Sequence, residues 1–390
     1  MGWARTRLAV AVAASVVDAF PDGVWFVGLA PIMDPALVAP AIAWALGVRE
    51  VGAEPLVERI QAFLRDKVLL LVLDNFEHVL PASPLVAEIL RACPRTKVLV
   101  TSRAVLRVSG EHDFLVPPLA LPDLARLPPL ERMAKCEAVQ LFVQRAVAAK
   151  ADFALTEANA VAVTSICHRL DGLPLAIELA AARVGHLPPM ALLARLERRL
   201  PLLIGGPRDQ PVRLQTMRNA ISWSYDLLDA NEQRLFRRLS VFNAAFSLEA
   251  AEAVAAIGHD LDIDTLEGMA SLLDKSLLHQ VDQPSGEPHF TMLETVREFG
   301  LEQLEAYDEL QSTRGRHAAH YLALAEAAEL RLRGREHGAR LAQLQAEHDN
   351  LRAALTWTVE ATEPSETGGR LAAALQWFWC LRGHFSEGRN

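Results

Sequence analysis

The chain of 390 residues is short of cysteine, of long apolar runs and of positive charge, and each shortage excludes a class of protein. Its four cysteines, Cys93, Cys136, Cys167 and Cys380, stand far apart, with no C-x-x-C and no histidine at metal-ligand spacing. That spacing supports neither a disulfide framework nor a structural zinc site. Four free thiols read as those of a protein in the reducing cytoplasm. No apolar run approaches the roughly 20 residues that cross a bilayer, so no membrane partner is expected. Basic residues do not dominate either: 39 Lys and Arg meet 48 Asp and Glu, a formal net charge of −9. Non-specific binding to a polyanion needs the opposite balance. No Ser-His-Asp, Cys-His or paired-carboxylate constellation marks a hydrolytic centre.

What is present is apolar material, 51% of the chain, enough for two or three domains at the usual size. The charge deficit has an address. Residues 212–306 hold 7 Lys and Arg against 16 Asp and Glu, and the rest of the chain is balanced. The N-terminus offers two readings. Arg5 and Arg7 before the small-apolar run Leu8–Val17 have the form of a signal peptide. The same residues form the first helix of a domain, ending near Phe20 before the Pro21-Asp22-Gly23 turn, and the pattern that follows favours the helix.

Residues 1–120 alternate strand and helix signals, which implies a parallel α/β sheet. Val24–Leu29 is a β-branched and aromatic run. Val68–Leu73 is uniformly apolar, as a parallel strand buried on both faces should be. Lys97–Thr101 and Asp113–Val116 complete the expected strands. Helices are expected at Pro35–Leu46, Glu54–Arg65 and Pro84–Ala92. From about Glu131 the chain is almost all helix, with stripes such as Val139, Phe142, Val143 and Ala146, and Gly205-Gly206-Pro207 marks a linker. Short helices over 216–275, a hairpin at Leu277–Val281 and His289–Met292 and a helix at Glu294–Ala306 make a winged helix. Long helices fill 314–383, with a break at Glu363–Thr367. His317 and His320, three apart on a helix, have no third ligand nearby and read as surface polarity. Trp377-Phe378-Trp379 reads as packing.

The most informative stretch is Leu69–Leu73 followed by Asp74-Asn75-Phe76-Glu77-His78. A buried strand ending in Asp presents a carboxylate at the carboxyl edge of the sheet, where open α/β folds bind ligands. Such an Asp holds Mg²⁺ in P-loop nucleotidases; equally, a strand-terminal Asp serves as a turn or cap residue. Arg103, at the tip of the next strand, is placed to reach a terminal phosphate or to lie on the surface.

The succession Thr6–Ala9 (TRLA), Leu69–Val79 (LLLVLDNFEHV), Lys97–Arg103 (KVLVTSR), Asp171–Arg183 (DGLPLAIELAAAR), Ser224–Leu228 (SYDLL) and Phe290–Gly300 (FTMLETVREFG) resembles the NB-ARC branch of the STAND ATPases, in particular large bacterial regulators with tetratricopeptide repeats. The resemblance spans essentially the whole chain. It implies a P-loop sheet domain over 1–122, a helical bundle over 123–206, a winged helix over 207–308 and the start of a helical repeat over 309–390. It also implies ATP/ADP with Mg²⁺ as cofactor. Asp74 would bind Mg²⁺ with Thr6, Asn75 and Glu77 would flank the attacking water, Arg103 would sense the γ-phosphate, and Pro174 would pack on adenine. Exchange of ADP for ATP between sheet, bundle and winged helix would switch the protein towards oligomerisation or effector release. Its regulatory output would pass to other proteins through the C-terminal helices.

The departures from the family pattern modify that expectation. A Walker A loop needs G-x-x-x-x-G-K-[ST], so that backbone N–H groups cradle phosphate. Aligned on Thr6, the lysine position holds Arg5, the second glycine is Ala4 and the first falls before Met1. Arg is no neutral substitute for a point-charge Lys. The strand feeding that loop is expected to be missing, leaving ladder groups unpaired, as in a truncated or decayed relative. Weak nucleotide binding and little or no ATPase activity follow. In the winged helix Leu293 and Glu294 stand where relatives carry His and Asp, and its acidity points to an internal switch without direct DNA contact. Trp379–Phe385 imperfectly matches the opening of a tetratricopeptide unit, and the C-terminus is expected to be cut within that array. The rival expectation is a nucleotide-free scaffold, or a remnant pairing with a full-length relative.

Overall fold

The computed structural model describes residues 2–49, 54–196, 199–206, 212–255, 262–281, 287–332, 337–360 and 366–382. Two compact units emerge, Met1–Leu227 and Leu228–Asn390.

In the first unit, helix α1 (Gly2–Ser15) precedes strand β1 (Val24–Gly28), helices α2 (Val38–Leu46) and α3 (Leu56–Leu64), strand β2 (Leu70–Asp74), helix α4 (Ser83–Ala92) and strand β3 (Lys97–Val100). The strands form one parallel sheet in the order β1-β2-β3. Every residue of β2 is buried, which explains its uninterrupted Leu and Val. Alternation divides it between two cores. Leu71 and Leu73 join Ile42, Ile60 and Ile89 under α2, α3 and α4, whereas Leu70 and Val72 pack against Ala9 and Ala13 of α1. The small residues of the Leu8–Val17 run are therefore the cover of one sheet face. Asp22 closes the near end of the sheet: its carboxylate accepts from Val68 N at 2.7 Å, and its own N–H donates to Val68 O.

The expected strand at Asp113–Val116 does not form. Residues 113–116 have no ladder partner, and Phe114 and Leu115 are exposed. Their apolar run Phe114-Leu115-Val116 is strand-like in composition, but among the described residues no strand pairs with the outer edge of β3, and an unpaired backbone has no reason to stay regular.

The helical part of the unit comprises α5 (Leu130–Met133), α6 (Glu137–Ala149), α7 (Glu157–Arg169), α8 (Pro174–Ala181), α9 (Pro189–Arg195), α10 (Val212–Gln215) and α11 (Met217–Asp226). Helix α8 is apolar on almost every side, as a helix surrounded by others must be, and Leu175, Ala176, Ile177, Leu179, Ala180 and Ala181 are all buried. Pro174 sits in its first turn, where a missing N–H costs nothing. Asp171 and Gly172 immediately before it are both left-handed, with φ of 54° and 64°. Residues 207–211, which hold part of the expected linker, lie outside the described residues.

The second unit opens with α12 (Ala230–Leu239), β4 (Phe246–Ser247), α13 (Leu248–Ala255), α14 (Thr265–Asp274), strands β5 (His279–Val281) and β6 (His289–Thr291), and α15 (Glu294–Ala306). The three strands form an antiparallel sheet, β4-β6-β5. The expected hairpin is present as β5 and β6, its turn residues 282–286 lying outside the described residues. The two-residue β4 gave no sequence signal because it is too short to show alternation. Asp229 and Glu232 form a reciprocal capping box at the start of α12, and Asp264 caps α14, so part of the acidic content serves helix starts.

Four helices follow: α16 (Leu310–Leu332), α17 (His337–Ala346), α18 (His348–Glu360) and α19 (Glu366–Arg382). The break between α18 and α19 falls at residues 361–365, outside the described set, as do residues 383–390 and with them most of the Trp379–Phe385 pattern. Phe378 and Trp379 are buried and Trp377 is exposed. His317 corrects the surface reading made for it. It is only 2% exposed and packs against Phe242 and Tyr321 at ring separations of 5.2 and 4.7 Å. Helical spacing alone does not say which face of a long helix a neighbour covers. Among the described residues no group of three His, Cys, Asp or Glu could hold a metal ion.

Candidate functional site

The carboxyl edge of the parallel sheet gathers the polar residues of the first unit. Asp74 ends β2, and the register that sets Leu73 opposite Val100 brings it level with Thr101 on the neighbouring strand. Thr101 Oγ1 donates to Asp74 Oδ1 at 2.6 Å. Thr6 Oγ1, from α1, donates to the same oxygen at 2.7 Å. Asn75 turns the chain with φ of 64°, a left-handed conformation that Asn tolerates better than most residues. Its N–H donates to Thr101 Oγ1 at 3.0 Å, and the next N–H, of Phe76, goes to Thr101 O. Thr101 thus fixes both the carboxylate and the turn after it. The sequence reading missed it, although the level pairing of two parallel strands ending in Asp74 and Thr101 is a signal that could have found it.

Beyond the turn, Glu77 and Arg103 form a buried ion pair, Nε to Oε1 at 3.4 Å, with both side chains almost fully enclosed. Asn75 Nδ2 lies 3.5 Å from the same Glu77 oxygen. Arg103 Nη1 donates to the Ala220 carbonyl of α11 at 3.1 Å, so helix α11 closes over this edge of the sheet. Arg5 stands on the same side: burial pushes its guanidinium below the usual range, against the opposing pull of Glu77 and Asp113. His78 accompanies the cluster, its Nε2 3.0 Å from Leu29 O and its ring edge-on to Trp223.

Of the residues singled out from sequence, Thr6, Asp74, Asn75, Glu77 and Arg103 form one connected set, and Arg5 lies within its electrostatic reach. Pro174 is reached less directly. It begins α8, whose Glu178 meets Arg7 of α1 at 3.6 Å and Arg145 of α6 at 3.0 Å. The donor set of two hydroxyls on one carboxylate oxygen suits a hard cation such as Mg²⁺, which takes one or two protein carboxylates and completes its shell with phosphate and water. The phosphate side fits less well. Residues Gly2 to Ser15 are one helix, so N–H groups from Thr6 onward belong to its ladder, and no glycine loop of described residues wraps an anion there.

Comparison with known proteins adds a lineage to this geometry. Residues 228–305 match the winged helix-turn-helix domain family. An uncharacterized Mycobacterium tuberculosis (strain ATCC 25618 / H37Rv) protein, Rv0894, is 35% identical over 321 residues, covering 82% of this chain and 78% of that protein. The chain belongs to the Rv0894 family. It is also 39% identical over 389 residues, 99% of its length, to the provisionally named HTH-type transcriptional regulator Rv0890c of the same strain, of which it covers 42%. The chain therefore spans less than half the length of that relative. Among solved structures it is similar to the Aeropyrum pernix ORC2 protein, described in ADPNP-ADP complexes, at TM-score 0.41 and 13% identity over 78% of this chain and 86% of that one. A STAND protein with a tetratricopeptide repeat sensor from Pyrococcus horikoshii aligns at TM-score 0.25 and 16% identity, over 87% of this chain and 45% of that one.

The winged helix of this family member is strongly acidic. Residues 228–305 carry 5 Lys and Arg against 15 Asp and Glu. At least four of those five cations are already paired with carboxylates. Arg237 and Arg238, both buried, meet Glu309 at 3.0 and 3.5 Å. Lys275 meets Glu232 at 2.6 Å, and Arg297 holds Glu294 at 3.0 Å. Helix α14, which precedes the wing, holds Glu267 and Asp274 and no Lys or Arg.

Proposed function

We propose that the chain is part of a STAND-type regulatory switch of the NB-ARC branch, in which the first unit responds to ADP or ATP with Mg²⁺ and the winged helix works through protein contacts. The observation that carries this reading is the convergence of Thr6 Oγ1 and Thr101 Oγ1 on Asp74 Oδ1, at 2.7 and 2.6 Å, on the ligand-binding edge of a parallel sheet. Thr6 and Asp74 would hold the cation, which when bound neutralises charge on the nucleotide's phosphate oxygens. Arg5 supplies positive potential beside it. Arg103 would leave Glu77 to reach a terminal phosphate, which makes the Glu77–Arg103 pair the closed form of a latch. Pro174 would pack on the base. With Ala4 and Arg5 inside helix α1, where a phosphate-binding loop would need glycine and lysine, binding is weak and hydrolysis slow or absent. Helices α16 to α19, read as tetratricopeptide-like, would carry the output to partner proteins or to further copies of the chain.

Thermal melting of the chain in millimolar Mg·ADP and Mg·ATP tests this directly. At ten times the dissociation constant, ligand linkage adds about 1.4 kcal/mol, and the melting temperature of the first unit should rise accordingly. EDTA and Asp74→Ala should each abolish the rise. No rise with either nucleotide in the unaltered chain would return the reading to a nucleotide-free scaffold.

The charge distribution gives a second expectation. Fluorescence anisotropy with labelled duplexes of mixed sequence should detect no binding by the chain at physiological salt, because a surface with a threefold excess of acid has few counterions to release. Saturable binding of any duplex there would make the winged helix a DNA reader after all.

A further inference from the structure

Within the second unit a cavity of about 480 Å³ opens between the turn after α12, helix α15 of the winged helix, and helices α16 and α18. Its size is that of sites for small molecules, and its wall carries three guanidinium groups, Arg297, Arg314 and Arg352. Two of them are engaged to different degrees. Arg297 holds both oxygens of Glu294, at 3.0 and 3.1 Å, and donates to Asn243 Oδ1 at 2.8 Å. Arg352 faces Asp349 at 3.8 Å, with both side chains more than half exposed, a pair that contributes little. Arg314, on α16, is half-buried and has no ion-pair partner among the described residues.

One turn along α16 from Arg314, His317 shares the cavity wall. Burial, followed by the nearby His320 and Arg314, pushes its pKa down to about 3, so the ring is neutral and offers hydrogen bonds rather than charge. Its Nε2 has no hydrogen-bond partner among the described residues although the side chain is 2% exposed. A buried polar atom left in that state calls for a partner. Trp357 supplies an aromatic wall, its indole N–H anchored on Gln311 Oε1 at 3.2 Å.

We propose that this cavity is an effector site for a small anionic metabolite bearing a carboxylate or a phosphate. Arg314 takes the charged head with His317 Nε2 beside it, and Trp357 takes the body of the molecule. The wall also holds three carboxylates: Glu294 and Asp349 are directed to Arg297 and Arg352, and Glu360 is the third, so the wall as a whole is balanced and the anion would be held locally, by Arg314 beside His317 Nε2. Because α15 belongs to the winged helix and α16 and α18 to the helices after it, a ligand here touches both and stabilises whichever arrangement of them it binds better. The site lies wholly within the second unit and does not depend on nucleotide binding by the first.

The test is thermal melting and isothermal titration calorimetry of the full chain with two probe series, succinate and citrate against inorganic phosphate and phosphoserine, at matched ionic strength in chloride. One series should raise the melting temperature of the second unit saturably, and which one does so separates the carboxylate from the phosphate source. Arg314→Ala should leave the ligand-free melting temperature unchanged and weaken binding about ten-fold or more, with Arg314→Lys in between. Trp357→Phe should reduce affinity without abolishing it. The proposal is overturned if neither series raises the melting temperature beyond the chloride control, or if Arg314→Ala binds as the unaltered chain does.

Discussion

Replacing Glu77 by Ala should destabilise the first unit by about 3–5 kcal/mol, the usual cost of removing one member of a buried ion pair. Glu77 and Arg103 are both enclosed and meet at 3.4 Å. Without the carboxylate, Arg103 stays buried with the Ala220 carbonyl as its acceptor, and Arg5 loses the first of the two negative charges that offset its own burial. Urea denaturation followed at two probes, one in each unit, isolates the effect, because two units need not unfold as one transition. The loss should appear in the first transition only. Glu77→Ala combined with Arg103→Met should recover a substantial part of it, since the cost lies in the uncompensated charge more than in the lost attraction. A loss below about 1 kcal/mol for Glu77→Ala would mean that the pair is open to water, and would remove the latch from the proposed switch. In the nucleotide reading the same double variant should no longer distinguish ATP from ADP, which a fold defect alone would not produce.

Gly172→Ala should cost about 3 kcal/mol or more, by a different mechanism. The residue has φ of +64°, and a Cβ built on it would lie 2.5 Å from the Leu119 carbonyl oxygen. The left-handed conformation costs an L-residue about 1–2 kcal/mol, and the forced displacement of packed backbone about 1–3 kcal/mol more. Leu119 cannot simply move away, because its N–H donates to Gly172 O at 3.0 Å. The first unfolding transition should shift to lower urea with its slope unchanged. Gly110→Ala is the control: that glycine also has positive φ, 84°, but nothing lies within 4 Å of its added Cβ. It should lose only the conformational part. Equal losses at the two positions would show that the contact with Leu119 is not tight in solution.

The fold and the site were legible in the sequence to different depths. Val68–Leu73 identified a strand buried on both faces because no polar residue interrupts it, and α15 lies at Glu294–Ala306 as its pattern indicates. Asp74, Asn75 and Glu77 were legible as a cluster because they follow that strand directly. Thr6 and Arg103 were linked to them through the resemblance of short motifs, and the distances bring them to the same edge. What misled was pattern without context. Asp113–Val116 has the composition of a strand and no neighbour to pair with. His317 and His320 occupy adjacent positions on one helix, yet one is enclosed by Phe242 and Tyr321 and the other is only half-buried.

The sequence by itself determined the class of the fold, the acidic character of the winged helix and the identity of the polar edge residues. These follow from local periodicity, from composition and from which residue ends a strand. Only the tertiary structure decided that Thr101 joins Thr6 on Asp74, that Arg103 is held by Glu77 and Ala220, and that at least four of the five winged-helix cations are spent on carboxylates. It alone revealed the cavity around Arg314 and His317. Apart from Arg297 and Glu294, three apart on α15, these contacts join residues on separate elements, up to 117 positions apart in the case of Arg103 and Ala220, and such contacts exist only once packing has fixed which faces meet.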